Sequence, residues 1–170
     1  MIEVTYVNHM GNDMTVVNAA RVSFAKESTW DDYNSETEQY VLKDKDRKLV
    51  HYLAEHGHKS PFNHAFATFH VKAPIFVARQ LQKHEYMPWN EISRRYVDSD
   101  PEFYVPDVWR GCSEDKKQGS SGTVDLVDYS LDDYNGNGMD FYTCLIRDGV
   151  APEQARMVLP QSMMTEWYWS

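Results

Sequence analysis

The chain has 170 residues, a net charge of −9 and a pI near 5.2, with 42% hydrophobic and 14% aromatic residues. That length suits one core, the aromatic content argues against disorder, and the acidic balance excludes the broad basic surface that nucleic-acid backbone requires. Two distant cysteines, Cys112 and Cys144, exclude a disulfide framework or a Cys-built zinc site, and the lack of a long apolar run or signal pattern points to a soluble, cytoplasmic chain off the membrane.

Ile2 to Val7 alternates as a strand does. Asn12-Asp13 can cap a helix that runs through Val16, Val17 and Val22 to Ser23-Phe24. Residues 25 to 44 are polar and read as a loop or a mobile connection. A helix is expected from Arg47 to His56, with Leu49 and Leu53 on one face and Gly57 as its stop. Phe62 to Val71 reads as a strand, and Pro74 as the first-turn proline of a helix over "IFVARQLQKHEY". Glu102 to Val105 suggests a short strand, and Gly111 to Gly122 a polar loop. A long helix is expected from about Asp125, bent or broken at Asn135-Gly136-Asn137-Gly138. Pro152 starts a further helix that Pro160 ends, and "MMTEWYWS" reads as a strand. No internal repeat is evident.

Three groups of residues carry candidate chemistry. The histidines at 51, 56, 58, 64 and 70 invite a metal reading, but no Cys or acidic ligand sits at useful spacing, and a proline turn separates His58 from His64. His58, Ser60 and His64 can equally face a ligand's polar atoms. In "WNEISRRY", an extended backbone would point Glu91, Ser93 and Arg95 to one side: an acceptor, a hydroxyl and a planar cation, a set suited to a nucleotide. The plain alternative is a strand edge with surface ion pairs among Glu91, Arg94 and Arg95. Ser93 lacks the G-x-S-x-G surroundings of a nucleophile. In "QARMVLP", Arg156 lies in an apolar helix end and wants either an anionic ligand or a carboxylate such as Glu153.

These segments together resemble the flavin-dependent thymidylate synthases. The family signature is Arg-His-Arg, two residues, Ser, one residue, Asn-Glu, one residue, Ser, one residue, Arg-Tyr. It corresponds here to the run from Lys83-His84-Glu85 through Pro88, Asn90-Glu91 and Ser93 to Arg95-Tyr96. The segments "AARVSF" at 19–24, "HGHKSPFNHAFATFHVKAPIFVARQ" at 56–80 and "ARMVLP" at 155–160 match in the family's order over nearly all of the chain. The resemblance implies an α+β fold over residues 1–170, a single domain with an antiparallel or mixed sheet packed against helices. It also implies methylation of deoxyuridylate to thymidylate, with methylenetetrahydrofolate as carbon donor, FAD as cofactor and NADPH as reductant. No protein nucleophile attacks the base in this family, so catalysis rests on positioning and electrostatics. A homotetramer with active sites shared between subunits is implied as well.

By matching position, the implied deoxyuridylate contacts are Gln80, Lys83, Glu91, Ser93, Arg94, Arg95 and Arg156. The implied FAD contacts are Ser23, His58, Ser60, Asn63, Lys83, His84, Glu85 and Glu91, with His58 near the folate too. Three signature positions depart: Lys83 keeps a charge but loses the guanidinium fork, Glu85 reverses the charge, and Pro88 replaces a serine. Arg94, at a position the signature leaves free, is expected to restore positive charge. Family members continue past the position of Ser170 with an Asn and an Arg for the flavin and an Arg for the substrate. The expectation is therefore a shortened chain, either completed by a second polypeptide or binding nucleotide and flavin without turnover. Its setting would be cytoplasmic, or the host cytoplasm for a viral chain.

Overall fold

A computed structural model of the chain describes residues 1–84, 87–97, 100–114, 119–126 and 128–170. It is α+β and divides into two compact units: Tyr6–Phe69 with Ser170, and Met1–Thr5 with His70–Trp169. Among the described residues no helix is long and apolar enough to cross a membrane.

The Tyr6–Phe69 unit is built around α1, Asp13–Arg21. Asn12 starts it as expected: its Oδ1 accepts from the Thr15 amide at 3.1 Å, and Thr15 Oγ1 accepts from the Asn12 amide at 3.1 Å. This reciprocal cap satisfies two amides that a helix start otherwise leaves open. Gly11, just before the cap, has φ +75°, and a Cβ there would lie 2.4 Å from the His64 carbonyl oxygen. Only glycine lets α1 approach the 3₁₀ turn Ser60–His64 this closely. α1 buries Met14, Val16 and Val17, and packs on α2, Asp44–Glu55, which buries Leu53. Gly57 stops α2 in the left-handed region, at φ +67°.

Residues 25 to 44 are not simply a loop. They carry a hairpin of β2, Asp32–Asn34, and β3, Gln39–Val41, paired antiparallel. Asn34 Oδ1 accepts from the amides of Glu36 at 2.9 Å and Thr37 at 3.2 Å, which folds the turn. Tyr40 packs between Tyr33 and Trp30, with ring centroids 5.0 and 5.5 Å away. The expected strand from Phe62 starts later, because residues 60–64 form the 3₁₀ turn.

The chain carries a four-stranded sheet in the order β1-β4-β8-β5. Its strands are β1 (Glu3–Met10), β4 (Phe66–Pro74), β5 (Trp89–Glu91) and β8 (Met164–Trp169); β1 and β4 contribute residues to both units. α3 spans only Ile75–Leu81, so Lys83 and His84 lie beyond its end. Pro74 precedes the helix as its cap residue and supplies no side-chain bond. The first amides of α3 are met instead by the carbonyls of Met163, from Ile75 at 2.9 Å, and Gln161, from Phe76 at 3.2 Å. A second hairpin, β6 (Trp109–Cys112) with β7 (Ser120–Val124), occupies what reads in sequence as a polar loop. The strand expected over Glu102–Val105 is reduced to one bridge, Phe103 to Met163.

α4, Leu131–Arg147, starts later than expected, where the Ser130 hydroxyl accepts from the Asp133 amide at 3.1 Å. It runs through Asn135–Gly138 without a break. Gly138 faces Pro160 so closely that a Cβ would lie 2.8 Å from the proline Cδ. The glycine is thus a packing requirement, and not a breaker. α5, Pro152–Ala155, leads into a 3₁₀ turn at Arg156–Val158.

Candidate active site

β5 pairs antiparallel with β8 in the register Trp89↔Trp169, Asn90↔Tyr168, Glu91↔Trp167. Alternation puts Trp89, Glu91, Thr165 and Trp167 on one face of this strand pair. Trp167 is buried, and Trp89 stacks on it with centroids 4.4 Å apart and planes 18° from parallel. Glu91 ends β5 beside a cavity of about 470 Å³, which is also lined by Arg79, Ser93, Arg94, Glu153 and Arg156. Ile75, Met157, Leu159, Met163 and Met164 supply its apolar wall.

Three guanidiniums and two carboxylates thus face one hollow with an apolar side. Such a cavity suits a ligand that is part anion and part flat ring. A second cavity of similar size, about 480 Å³, is lined mainly by Phe76, Tyr104, Pro106, Val108, Trp109 and Leu131, with Arg110 as its one charged lining residue among the described residues. The convergence of cations belongs to the first cavity.

Of the residues singled out in the sequence, Glu91, Ser93, Arg94 and Arg156 come together at this cavity. Gln80, Lys83 and Arg95 do not line it. Gln80 and Lys83 pair with each other at the exposed end of α3, Nζ donating to Oε1 at 3.3 Å. The shared face of Glu91, Ser93 and Arg95 does not form, because the extended backbone stops at Glu91. Residues 93–96 turn, with the Tyr96 amide on the Ser93 carbonyl at 3.0 Å. Arg95 folds back instead, its Nε 3.4 Å from Ser93 Oγ and its guanidinium 4.9 Å from the Tyr96 ring centroid.

Arg156 has no carboxylate within 4.0 Å among the described residues; Glu153 shares the cavity without pairing with it. Arg79 lines the cavity, although the resemblance implies Gln80 as the deoxyuridylate contact. The helical period held the signal: Arg79 sits one turn after Ile75 and shares its cavity face, whereas Gln80 is rotated by about 100°. Beside Arg94, Lys72 donates to Glu102 at 2.8 Å. That hydrogen bond raises the lysine pKa and holds the Glu102 carboxyl below its ordinary range.

The implied flavin residues divide between the units. Ser23, His58, Ser60 and Asn63 belong to Tyr6–Phe69, and Lys83, His84 and Glu91 to the other; Glu85 lies outside the described residues. Ser23, His58, Ser60 and Asn63 are all exposed, and none spends its side chain on a hydrogen bond within the described chain. The hydroxyl, imidazole and amide groups of Ser23, His58, Ser60 and Asn63 are of a kind that can meet a pyrophosphate and the polar edges of a flavin. Among the described residues no group of three or more His, Cys, Asp or Glu gathers as a metal site.

Residues 5–170 match the Thy1 family, described as thymidylate synthase complementing protein. The chain belongs to this family of enzymes, the flavin-dependent thymidylate synthases. A flavin-dependent thymidylate synthase of Thermosipho africanus is 40% identical over 173 residues, which cover 96% of this chain and 69% of that one. One from Thermotoga neapolitana is 42% identical over 170 residues, covering 98% and 69%. Among solved structures, a UMP/dUMP methylase, PolB, from Streptomyces cacaoi bound with 5-Br dUMP superposes with a TM-score of 0.78 at 34% identity. That alignment covers 99% of this chain and 72% of the methylase. The α+β architecture is therefore the one this family of synthases shares with the methylase.

Proposed function

We propose that the chain binds deoxyuridylate in the cavity between Arg79, Glu91 and Arg156 and serves its methylation to thymidylate. The observation that carries this is the convergence of Arg79, Arg94 and Arg156 on one cavity with an apolar wall, in a chain of this family. Guanidinium forks hold the phosphate, while Ser93 and Glu91 meet the sugar or base edge. Each charge-assisted contact contributes about 1.5–3 kcal/mol.

In the reaction a methylene carbon joins uracil C5, the C5 proton leaves, and a hydride completes the methyl group. Bound reduced FAD would supply that hydride. The proposed holders of the flavin are Ser23, His58, Ser60, Asn63, Lys83 and His84. Methylenetetrahydrofolate is the proposed carbon donor, NADPH the proposed reductant, and a cytoplasmic homotetramer the proposed assembly. The chain's own contribution is positional: it fixes the nucleotide by its phosphate and leaves C5 to the other ligands.

The test is tritium release from deoxyuridylate labelled at C5, with FAD, NADPH and methylenetetrahydrofolate present. Release that needs all three supports the reading. Nucleotide binding without release supports the runner-up, a chain that binds nucleotide and flavin without turnover. No nucleotide binding refutes both.

A further inference from the structure

We propose that Thr165 and Trp89 are positioning residues that clamp the Glu91 carboxylate in the orientation the nucleotide requires. This deepens the reading above and rests on it. Thr165 Oγ1 donates to Glu91 Oε1 at 2.6 Å, and Trp89 Nε1 donates to Glu91 Oε2 at 3.1 Å. Both carboxylate oxygens are therefore held, from opposite strands.

Neither donor is a casual surface contact. Thr165 is 5% exposed, the second residue of β8. Trp89 is fixed by its stack on Trp167, which is 1% exposed. The strand register sets the geometry: Glu91 stands opposite Trp167, so Thr165 is its diagonal neighbour on the same face, within reach of a long side chain. The amide of Ile92, just after Glu91, donates to the Glu166 carbonyl at 3.0 Å and extends the pairing past the carboxylate.

A free glutamate at the end of an edge strand would sample several rotamers and lose that freedom on binding. The clamp removes that loss in advance. A carboxylate accepts at about four lone-pair sites, and the two donors take one on each oxygen. Acceptor capacity remains on both oxygens for a ligand hydroxyl or N–H in the cavity, which Glu91 and Thr165 both line. Thr165 lies outside the signature run and has no charge, so the sequence gives no sign of this role.

The experiment is calorimetric titration of the full chain with deoxyuridylate, in wild type and in Thr165→Val, Thr165→Ser, Trp89→Phe, Glu91→Ala and Arg156→Ala. Thr165→Val is expected to weaken binding about tenfold, the low end for a hydrogen bond to a charged group. Thr165→Ser should restore it to within about threefold, since the donor returns. Trp89→Phe keeps a ring on Trp167 but removes the N–H, and serves if the valine variant does not fold; it too should weaken binding. In the Glu91→Ala background, Thr165→Val should cost nothing further, because the group it acts through is gone. Wild-type affinity in Thr165→Val and Trp89→Phe, failure of serine to rescue, or an equal loss in the Glu91→Ala background would each overturn the clamp. Arg156→Ala separates the two claims. If it weakens binding while both clamp variants bind normally, only the clamp fails. If all three bind normally, the nucleotide reading fails with it.

Discussion

The indole of Trp89 lies flat on that of Trp167, 4.4 Å away, across the antiparallel pair of β5 and β8. This contact is the base of the candidate site, since Glu91 is two residues from Trp89 on the same face. Trp167→Ala should lower stability by about 3–5 kcal/mol through lost burial and the cavity left behind. Trp167→Phe should cost much less, because the indole N–H has no partner among the described residues and only volume is lost. Denaturant titration of both variants measures this. Equal destabilisation would mean that the stack is not what holds the strands.

Asp46 makes a second prediction, in the Tyr6–Phe69 unit. It is fully buried, and it accepts from both the Ser28 hydroxyl and the Arg21 guanidinium. Burial alone would push its carboxyl pKa up, but the bonds from Ser28 and Arg21 outweigh burial and the pKa falls below the ordinary value. A carboxyl lowered on folding stabilises fully above its unfolded pKa of about 3.9, and that stabilisation is lost as pH falls through the folded value. Asp46→Asn should cost about 2–3 kcal/mol at neutral pH. That is less than the roughly 3–5 kcal/mol seen when both charges are sealed, because the Arg21 side chain is 20% exposed. The gap between wild type and variant should narrow below about pH 4, and urea midpoints against pH would show it. A gap that widens in acid would contradict the assignment.

The two glycines of α4 should respond in opposite directions. A Cβ at Gly136 meets nothing within 4 Å, so Gly136→Ala should stabilise by up to about 1 kcal/mol from helix propensity alone. A Cβ at Gly138 would meet Pro160 Cδ at 2.8 Å and Cγ at 3.0 Å, both in a rigid ring. Gly138→Ala should therefore destabilise by about 1–2 kcal/mol despite the same propensity gain. Thermal melts of the pair decide it.

The cavity arginines are ranked by the same geometry. Arg79→Ala, Arg94→Ala and Arg156→Ala should each weaken deoxyuridylate binding by about 1.5–3 kcal/mol. Lys83→Ala should change it by much less, since the lysine pairs with Gln80 away from the cavity. Equilibrium binding with these four variants tests the ranking, and unchanged affinity in Arg94→Ala would remove that residue from the site.

The Asn12 cap, the Gly57 stop, the Pro152 helix start and the β8 strand are legible from local signals, because each depends on neighbours a few residues away. The β2–β3 hairpin was hidden by its polar composition. Its order comes from the Asn34 turn and the packing of Tyr33, Trp30 and Tyr40. The continuity of α4 was hidden because Gly138 answers to Pro160, twenty-two residues on. At the site, residue types were legible but directions were not. The turn after Glu91 puts Arg94, and not Arg95, into the cavity. The short length of α3 leaves Lys83 beyond its end, and the helical period turns Arg79, and not Gln80, to the cavity. Thr165 was invisible, since its role exists only through the register of two strands.

The most direct test is a crystal structure of the full chain with 5-bromo-deoxyuridylate, whose bromine gives an anomalous signal. The expected result is a bromine peak in the cavity bounded by Arg79, Glu91 and Arg156, with the nucleotide phosphate about 2.7–2.9 Å from the Arg156 guanidinium. A nucleotide seated elsewhere while this cavity holds only solvent would contradict the assignment.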